Sequence, residues 1–251
     1  MDRAEQNTGL LETVGNFIAR KGRRVWPLTV TAKKPLAPRM VRVEFSGPDL
    51  DELIWTRGQD VVLEIPTAEG ISRRHYTIRE HDPKARTLAI DFVRHGEGAS
   101  GPWLDALKPG DDVNAVGPRG HTYLRPSDWH LFTGDETCIP GIFAMLESLP
   151  RDAKGFAFIE VDREADIVAL NTHAQVTWLF RNGIAPGPNR LVHDAVEAFD
   201  FPQGSGFAYI IGETSNVRSL RHRLLDRGFP RDRIAAEGYW RPGRVGGHDH
   251  V

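Results

Sequence analysis

Four consecutive residues, Arg74-His75-Tyr76-Thr77, carry the side chains that grip a flat, phosphorylated molecule. A guanidinium meets a phosphate, a phenol ring packs on a flat ring system, and a hydroxyl hydrogen-bonds to that system's edge. They stand in the run Ser72–Arg79 (SRRHYTIR), between two strand-like segments. Alone, the same tetrapeptide is also ordinary strand chemistry, with Arg74 as one half of a surface ion pair.

A second segment sharpens the reading. Asp91-Phe92-Val93-Arg94-His95-Gly96-Glu97-Gly98-Ala99-Ser100-Gly101-Pro102-Trp103 reads as a strand that breaks into a glycine-rich turn and then starts a helix. Gly96, Gly98 and Gly101 leave backbone amides unobstructed, and Pro102 suits a first helical turn, where its missing N–H costs nothing. A helix start of that kind attracts a pyrophosphate. The alternative is a loop rich in glycine for turn geometry alone. Together the two segments suggest a flavin site.

The elements that must position these residues follow from the spacing of apolar and turn residues. From Trp26 to Tyr123 the signals are mostly β: Leu28–Thr31, Met40–Phe45, Asp60–Ile65, His75–Arg79, Thr87–Val93 and Asp112–Val116, punctuated by proline and glycine. Six short strands at this spacing predict a small closed or nearly closed barrel, interrupted by a helix over Trp103–Leu107. Beyond Pro126 strands alternate with helices. Strands are expected at His130–Thr133, Phe156–Val161, Val176–Phe180, Phe207–Ile211 and Arg233–Tyr239, with helices at Ile142–Leu149, Arg190–Phe199 and Asn216–Arg227, the last capped by Asn or Ser. Such alternation means a parallel sheet covered on both faces. The domains predicted are an N-terminal helix within 1–25, a barrel over 26–126 and an α/β domain over 127–251 ending in a frayed tail. The N-terminal helix, Leu10–Lys21, is amphipathic and ends in Arg20, Lys21, Arg23 and Arg24.

Ligands of an open parallel sheet bind beyond the carboxyl ends of its strands. Two acid-bearing turns fall there, Thr133-Gly134-Asp135-Glu136-Thr137 and Gly212-Glu213-Thr214, and neither is a GxGxxG fingerprint. Carboxylates repel phosphate, which argues against a simple dinucleotide site. Asp135, Glu136 and Glu213 either cap the following helices or face a nicotinamide donor. Their charge favours NADH over NADPH unless Arg163 or Arg181 intervenes.

Composition narrows the partners. A net charge of −2 over 251 residues gives a nucleic-acid partner no support, and the single cysteine, Cys138, excludes an intramolecular disulfide or a Cys-rich metal site. No apolar run long enough for a membrane span is present, so a cytoplasmic protein without stable membrane association is expected. The tail histidines, His248 and His250, are read as solvated, and no metal site is expected.

In order along the chain, Arg74-His75-Tyr76-Thr77-Ile78-Arg79, His95-Gly96-Glu97-Gly98 followed by Trp103, Gly134-Asp135-Glu136-Thr137 with Pro140, and Gly238-Tyr239-Trp240-Arg241 resemble the siderophore-interacting proteins. That family comprises flavin-dependent ferric-siderophore reductases of the ferredoxin-reductase-like superfamily. The resemblance runs from Leu28 to Gly243 and implies a six-stranded Greek-key FAD-binding barrel followed by a parallel-sheet α/β domain. It implies Arg74 on the cofactor phosphate, Tyr76 on the isoalloxazine with Thr77 at its edge, and His75 and Trp103 in the same site. Asp91, Val93 and His95 would line the flavin, Gly98, Ala99 and Ser100 would cradle the pyrophosphate, and Thr137, Tyr239 and Trp240 would approach from the second domain. The chain departs from relatives in Ala99 after Gly98, where proline is common, and in Cys138-Ile139, where Ala-Leu is usual.

The activity implied is reduction of chelated Fe(III) to Fe(II), with electrons from NADH, NADPH or ferredoxin and with no catalytic acid, base or nucleophile. Many ferric chelates are anionic, so Lys33, Lys34, Arg73, Arg119, Arg125 and Arg241 are candidate substrate contacts. A general flavin or ferredoxin reductase is the near alternative, and a ferric-siderophore-binding protein without turnover the alternative from another class.

Overall fold

The computed structural model describes residues 24–94 and 100–244, and the backbone of 249–250. They form two compact units: one takes the chain through Lys34 and Val41–Gly120, the other Pro35–Met40 and the residues from His121 onward. Among the described residues no helix is long and apolar enough to cross a membrane. The expected N-terminal helix lies outside the described residues.

The first unit is an antiparallel sheet of seven strands. They are β1 (Val25–Ala37), β2 (Met40–Ser46), β3 (Asp60–Thr67), β4 (Gly70–Thr77), β5 (Glu80–Asp82), β6 (Thr87–Val93) and β7 (Asp112–Arg119), in the order β4-β3-β7-β1-β2-β6-β5. Its core follows from a period of two: Leu28 and Val30, Val41, Val43 and Phe45, Val61, Leu63 and Ile65, and Leu88, Ile90 and Phe92 all turn inward. Each such side chain contributes roughly 1.5–3 kcal/mol by leaving water. The seventh strand, β5, is a polar tripeptide that no apolar periodicity marks. The sheet curls just before it: beyond β4, the Ile78 N–H bonds to the Gln59 carbonyl (3.0 Å) and the Arg79 N–H to the Ala89 carbonyl (2.9 Å). Strands β4 and β6 thereby face each other. Helix α1 (Ser100–Ala106) follows β6, and Lys33 Nζ covers its carboxyl end by donating to the carbonyls of Leu104, Asp105 and Leu107.

The second unit is the expected parallel sheet. Strands β8 (Trp129–Asp135), β9 (Lys154–Val161), β10 (Gln175–Phe180), β11 (Gly206–Glu213) and β12 (Ile234–Trp240) lie in the order β10-β9-β8-β11-β12, with helices α2 (Ile139–Leu146), α3 (Leu191–Glu197) and α4 (Thr214–Asp226) between them. Leu131, Ala208 and Ile210 pack with Val196, Val217 and Leu220 on one face. On β8 and β11, the Phe132 and Tyr209 rings stack 4.7 Å apart.

Three local expectations need correction. Helix α2 begins three residues earlier than Ile142, because Pro140 occupies its first turn, where a missing N–H costs nothing. Helix α4 is capped by Glu213, whose Oε2 accepts from the Asn216 N–H, and not by Asn or Ser. The tail does not simply fray: Asp249–His250 forms β13, antiparallel to β12, where an edge strand offers unpaired backbone groups.

Candidate functional site

In the first unit, register places the cofactor-type side chains. Tyr76 stands opposite Val61 and Arg74 opposite Leu63 across the β3–β4 ladder. Opposed residues share a face, and Val61 and Leu63 belong to the core, so Arg74 and Tyr76 both lie on the concave face. There the Tyr76 ring lies 4.5 Å from Phe92, and Phe92 5.8 Å from Trp103. Burial raises the Tyr76 phenol pKa above its ordinary value, against a hydrogen bond with Ser100 and the charge of Arg74, which lower it. Arg74 donates only to the carbonyl of Arg73 (2.9 Å), and among the described residues it has no carboxylate partner. Thr77 is buried at the end of β4.

Neighbouring residues in these strands face the other way and are held by partners. Arg73 pairs with Glu64 (2.9 Å), and His75 Nδ1 lies 3.2 Å from Asp60. Asp91 and Val93 flank Phe92 on β6 and so lie on the opposite face from it. Both oxygens of Asp91 accept from Arg42, at 2.7 and 2.9 Å, and Arg79 stands 3.6 Å away. His95, Gly98 and Ala99 lie outside the described residues. Phe92 itself was not singled out in the sequence; its signal is the alternation that turns Asp91 and Val93 outward.

In the second unit, the turns containing Gly134–Thr137, Gly212–Thr214 and Gly238–Trp240 converge on one carboxylate. Asp135 Oδ1 accepts from the Thr137 N–H (2.9 Å) and hydroxyl (2.5 Å), while Oδ2 accepts from the Glu213 N–H (3.0 Å) and the Trp240 indole N–H (2.8 Å). Burial pushes the Asp135 pKa up, while the Thr137 and Trp240 hydrogen bonds oppose that shift by favouring the charged form. Two glycines make the convergence possible. A Cβ on Gly212, whose φ is +132°, would stand 2.8 Å from Asp135 Oδ2, and one on Gly238 would stand 2.6 Å from Thr214 Oγ1. That hydroxyl donates to the Trp240 carbonyl (3.0 Å), where a bulge after Gly212 sets Glu213 opposite Trp240. Tyr239 and Trp240 are both half-buried.

Beside this knot lies an ion cluster that the sequence did not announce. Arg181, at the end of β10, forks onto Glu136 with 2.6 and 2.7 Å bonds and reaches Glu160 at 3.0 Å. All three are buried, burial raises the Glu160 pKa, and half-buried Arg39 stands 3.4 Å from Glu136. Arg181, buried and engaged by these glutamates, is not presented to a nucleotide phosphate.

The candidate substrate cations separate into two groups. Lys33 holds the end of α1, Lys34 pairs with Glu44 (2.7 Å) and Arg73 with Glu64. Arg119, Arg125 and Arg241 are exposed. Arg125 stacks on Tyr123 (4.1 Å) and lines a cavity of about 450 Å³ with His121, Phe207 and Arg233 at the amino ends of β11 and β12. Arg241 follows the carboxyl end of β12, six residues past Ala235 of that cavity, or about 20 Å of strand. Those two cations do not share a pocket.

Comparison with known proteins agrees with this arrangement. Residues 58–122 match the siderophore-interacting FAD-binding domain and residues 127–243 the siderophore-interacting protein family. The ferric vibriobactin reductase ViuB of Vibrio cholerae is 31% identical over 250 residues, covering 88% of this chain and 92% of its own. A siderophore utilization protein from T. fusca superposes with a TM-score of 0.84 at 36% identity, over 89% of this chain and 95% of that one. A ferredoxin reductase of carbazole 1,9a-dioxygenase shares the fold at 19% identity, with a TM-score of 0.70 over 87% of this chain and 70% of that one. The chain belongs to the siderophore-interacting protein family, and its first unit carries that family's FAD-binding domain.

Proposed function

We propose that this chain is a cytoplasmic FAD-dependent ferric-siderophore reductase, taking electrons from NADH, NADPH or a ferredoxin and releasing iron from its chelate as Fe(II). The observation that carries the reading is the concave face of β4. An aromatic ring and a guanidinium with no carboxylate partner among the described residues stand two residues apart on the same face, beside Phe92 and Trp103. Those groups fit a planar, anionic cofactor. Arg74 would hold a phosphate, Tyr76 a ring face and Thr77 a ring edge, with Ser100 at the start of α1 beside them.

Bound FAD would supply what no side chain can, acceptance of an electron pair and its release one electron at a time to Fe(III). Siderophores hold Fe(III) with hard oxygen ligands, and the less charged, softer Fe(II) is bound more weakly. The chain's own work is therefore placement. Asp135 fixes the Trp240 indole through its N–H and Thr137 is tied to the same carboxylate, while Arg119 in the first unit and Arg241 in the second are exposed cations, each a separate candidate contact for an anionic chelate. No side chain exchanges a proton with the iron complex. The resemblance to a relative that carries the name ferric vibriobactin reductase supports this reading.

The test is an anaerobic titration of the FAD-loaded protein with NADH, NADPH or a reduced ferredoxin, then with a ferric siderophore. Bleaching of the flavin absorbance by a donor and its return with the chelate is the expected result. A reduced flavin that ferric chelates leave bleached sinks the assignment.

A further inference from the structure

We infer that the phosphates of a dihydronicotinamide donor have no seat at the carboxyl ends of β8 and β9, so that the donor is held by its nicotinamide riboside end. This rests on the proposed reductase reading. In an open parallel sheet, a dinucleotide's pyrophosphate normally lies on unpaired N–H groups at a helix start beyond a strand's carboxyl end. Here the chain's own carboxylates take an N–H at those starts. Asp135 Oδ1 takes the Thr137 N–H in the turn leading to α2, and Glu213 Oε2 takes the Asn216 N–H of α4. Beyond β9, Asp166 takes the Arg163 N–H (3.3 Å) in a short helical turn.

Charge points the same way. Asp135, Glu136, Glu160, Asp166 and Glu213 are buried at or beyond the carboxyl ends of β8, β9 and β11, and the buried cation among them, Arg181, is clamped to Glu136 and Glu160. Of the exposed cations that follow β9 and β10, Arg163 lies 3.5 Å from Asp162 and Arg190 2.7 Å from Asp194. A phosphate brought to the ends of β8 and β9 would lose water and face the like charge of these carboxylates, with Arg181 already engaged. A riboside carries no such penalty.

The experiment compares NADH, NADPH and dihydronicotinamide riboside as reductants of the FAD-loaded full chain by anaerobic stopped flow. Each donor gives one hydride, leaving as the oxidised nicotinamide, and two Fe(III) chelates then take one electron each. The second-order rate constants should agree within ~10-fold, whereas a site that seats the phosphates would set the riboside back by ~100-fold or more. Titration calorimetry with ADP-ribose and 2′,5′-ADP gives a readout independent of turnover. No saturable heat up to ~5 mM is expected, and a Kd below ~0.1 mM for either compound overturns the inference. If no nicotinamide bleaches the flavin while a ferric chelate reoxidises the dithionite-reduced protein, the inference fails and the reductase reading stands. If the chelate does not reoxidise it, the reductase reading fails first.

Discussion

The concave face of β4 and the carboxyl edge of the α/β sheet both gather charged and aromatic side chains, yet they treat those groups in opposite ways. On the barrel-like sheet, Arg74 has no carboxylate partner among the described residues and Tyr76 stands beside an aromatic cluster. On the α/β sheet, Asp135 accepts hydrogen bonds from Thr137, Glu213 and Trp240, and Arg181 is engaged by two glutamates and a backbone carbonyl. Groups without internal partners are available to a ligand. Groups satisfied by one another build a rigid frame. The difference teaches that the density of charged residues at a strand end does not identify a phosphate site; whether they remain unpaired does.

The comparison can be broken most forcefully at Arg181. Replacing it with Met strands Glu136 and Glu160 in a buried setting and should cost about 3–5 kcal/mol of unfolding free energy in urea. A loss under ~1 kcal/mol would mean that the cluster is not a frame at all. Asp135→Asn comes next. Both oxygens of Asp135 accept from donors, so an amide must turn its own NH2 toward at least two of them. A destabilisation of about 2–3 kcal/mol is expected, together with a change in Trp240 fluorescence followed against Trp240→Phe as the blank. A variant as stable as the parent contradicts the role assigned to the knot.

Arg74→Ala should show the reverse pattern. Its stability without FAD should stay within ~0.5 kcal/mol of the parent, while FAD affinity falls by about 10–100-fold in equilibrium titration. Equal FAD affinity would remove Arg74 from the cofactor site.

A smaller effect lies with His130. It is buried beside Phe132 and Tyr209, its Nδ1 has no partner among the described residues, and burial lowers its pKa below 6.5. The unfolded chain therefore binds a proton as pH falls through 6.5, before the folded chain does. Stability is lost in that window, by at most ~1.4 kcal/mol per pH unit for this one group. Urea unfolding of the parent and His130→Phe from pH 7.5 to 5 should diverge below pH 6.5, with the parent losing more; parallel curves would refute the assignment.

Much of this was legible in the sequence because its signals are local. Short strand-like segments between prolines and glycines mark the first sheet, apolar runs alternating with helices mark the second, and Arg74, Tyr76 and Trp103 carry their chemistry in short motifs. What escaped was set by pairing across long separations. The Asp135–Trp240 bond spans 105 positions and Arg181–Glu136 spans 45, and nothing near either partner marks the other. Lys33 and Lys34 read as free cations because Leu104 and Glu44 come near them only in the folded sheet. Strand β5 escaped for a different reason: Glu80-His81-Asp82 is held in the sheet by backbone pairing to β6, with no apolar alternation to show it.

The reductase assignment meets its most direct test in stoichiometry. FAD-loaded protein, reduced with one equivalent of dithionite under argon, is mixed with excess ferric siderophore and a ferrous-specific chromophoric chelator. Two Fe(II) trapped per flavin, appearing together with the return of flavin absorbance, is the result predicted. Flavin that stays bleached while no Fe(II) appears would contradict it.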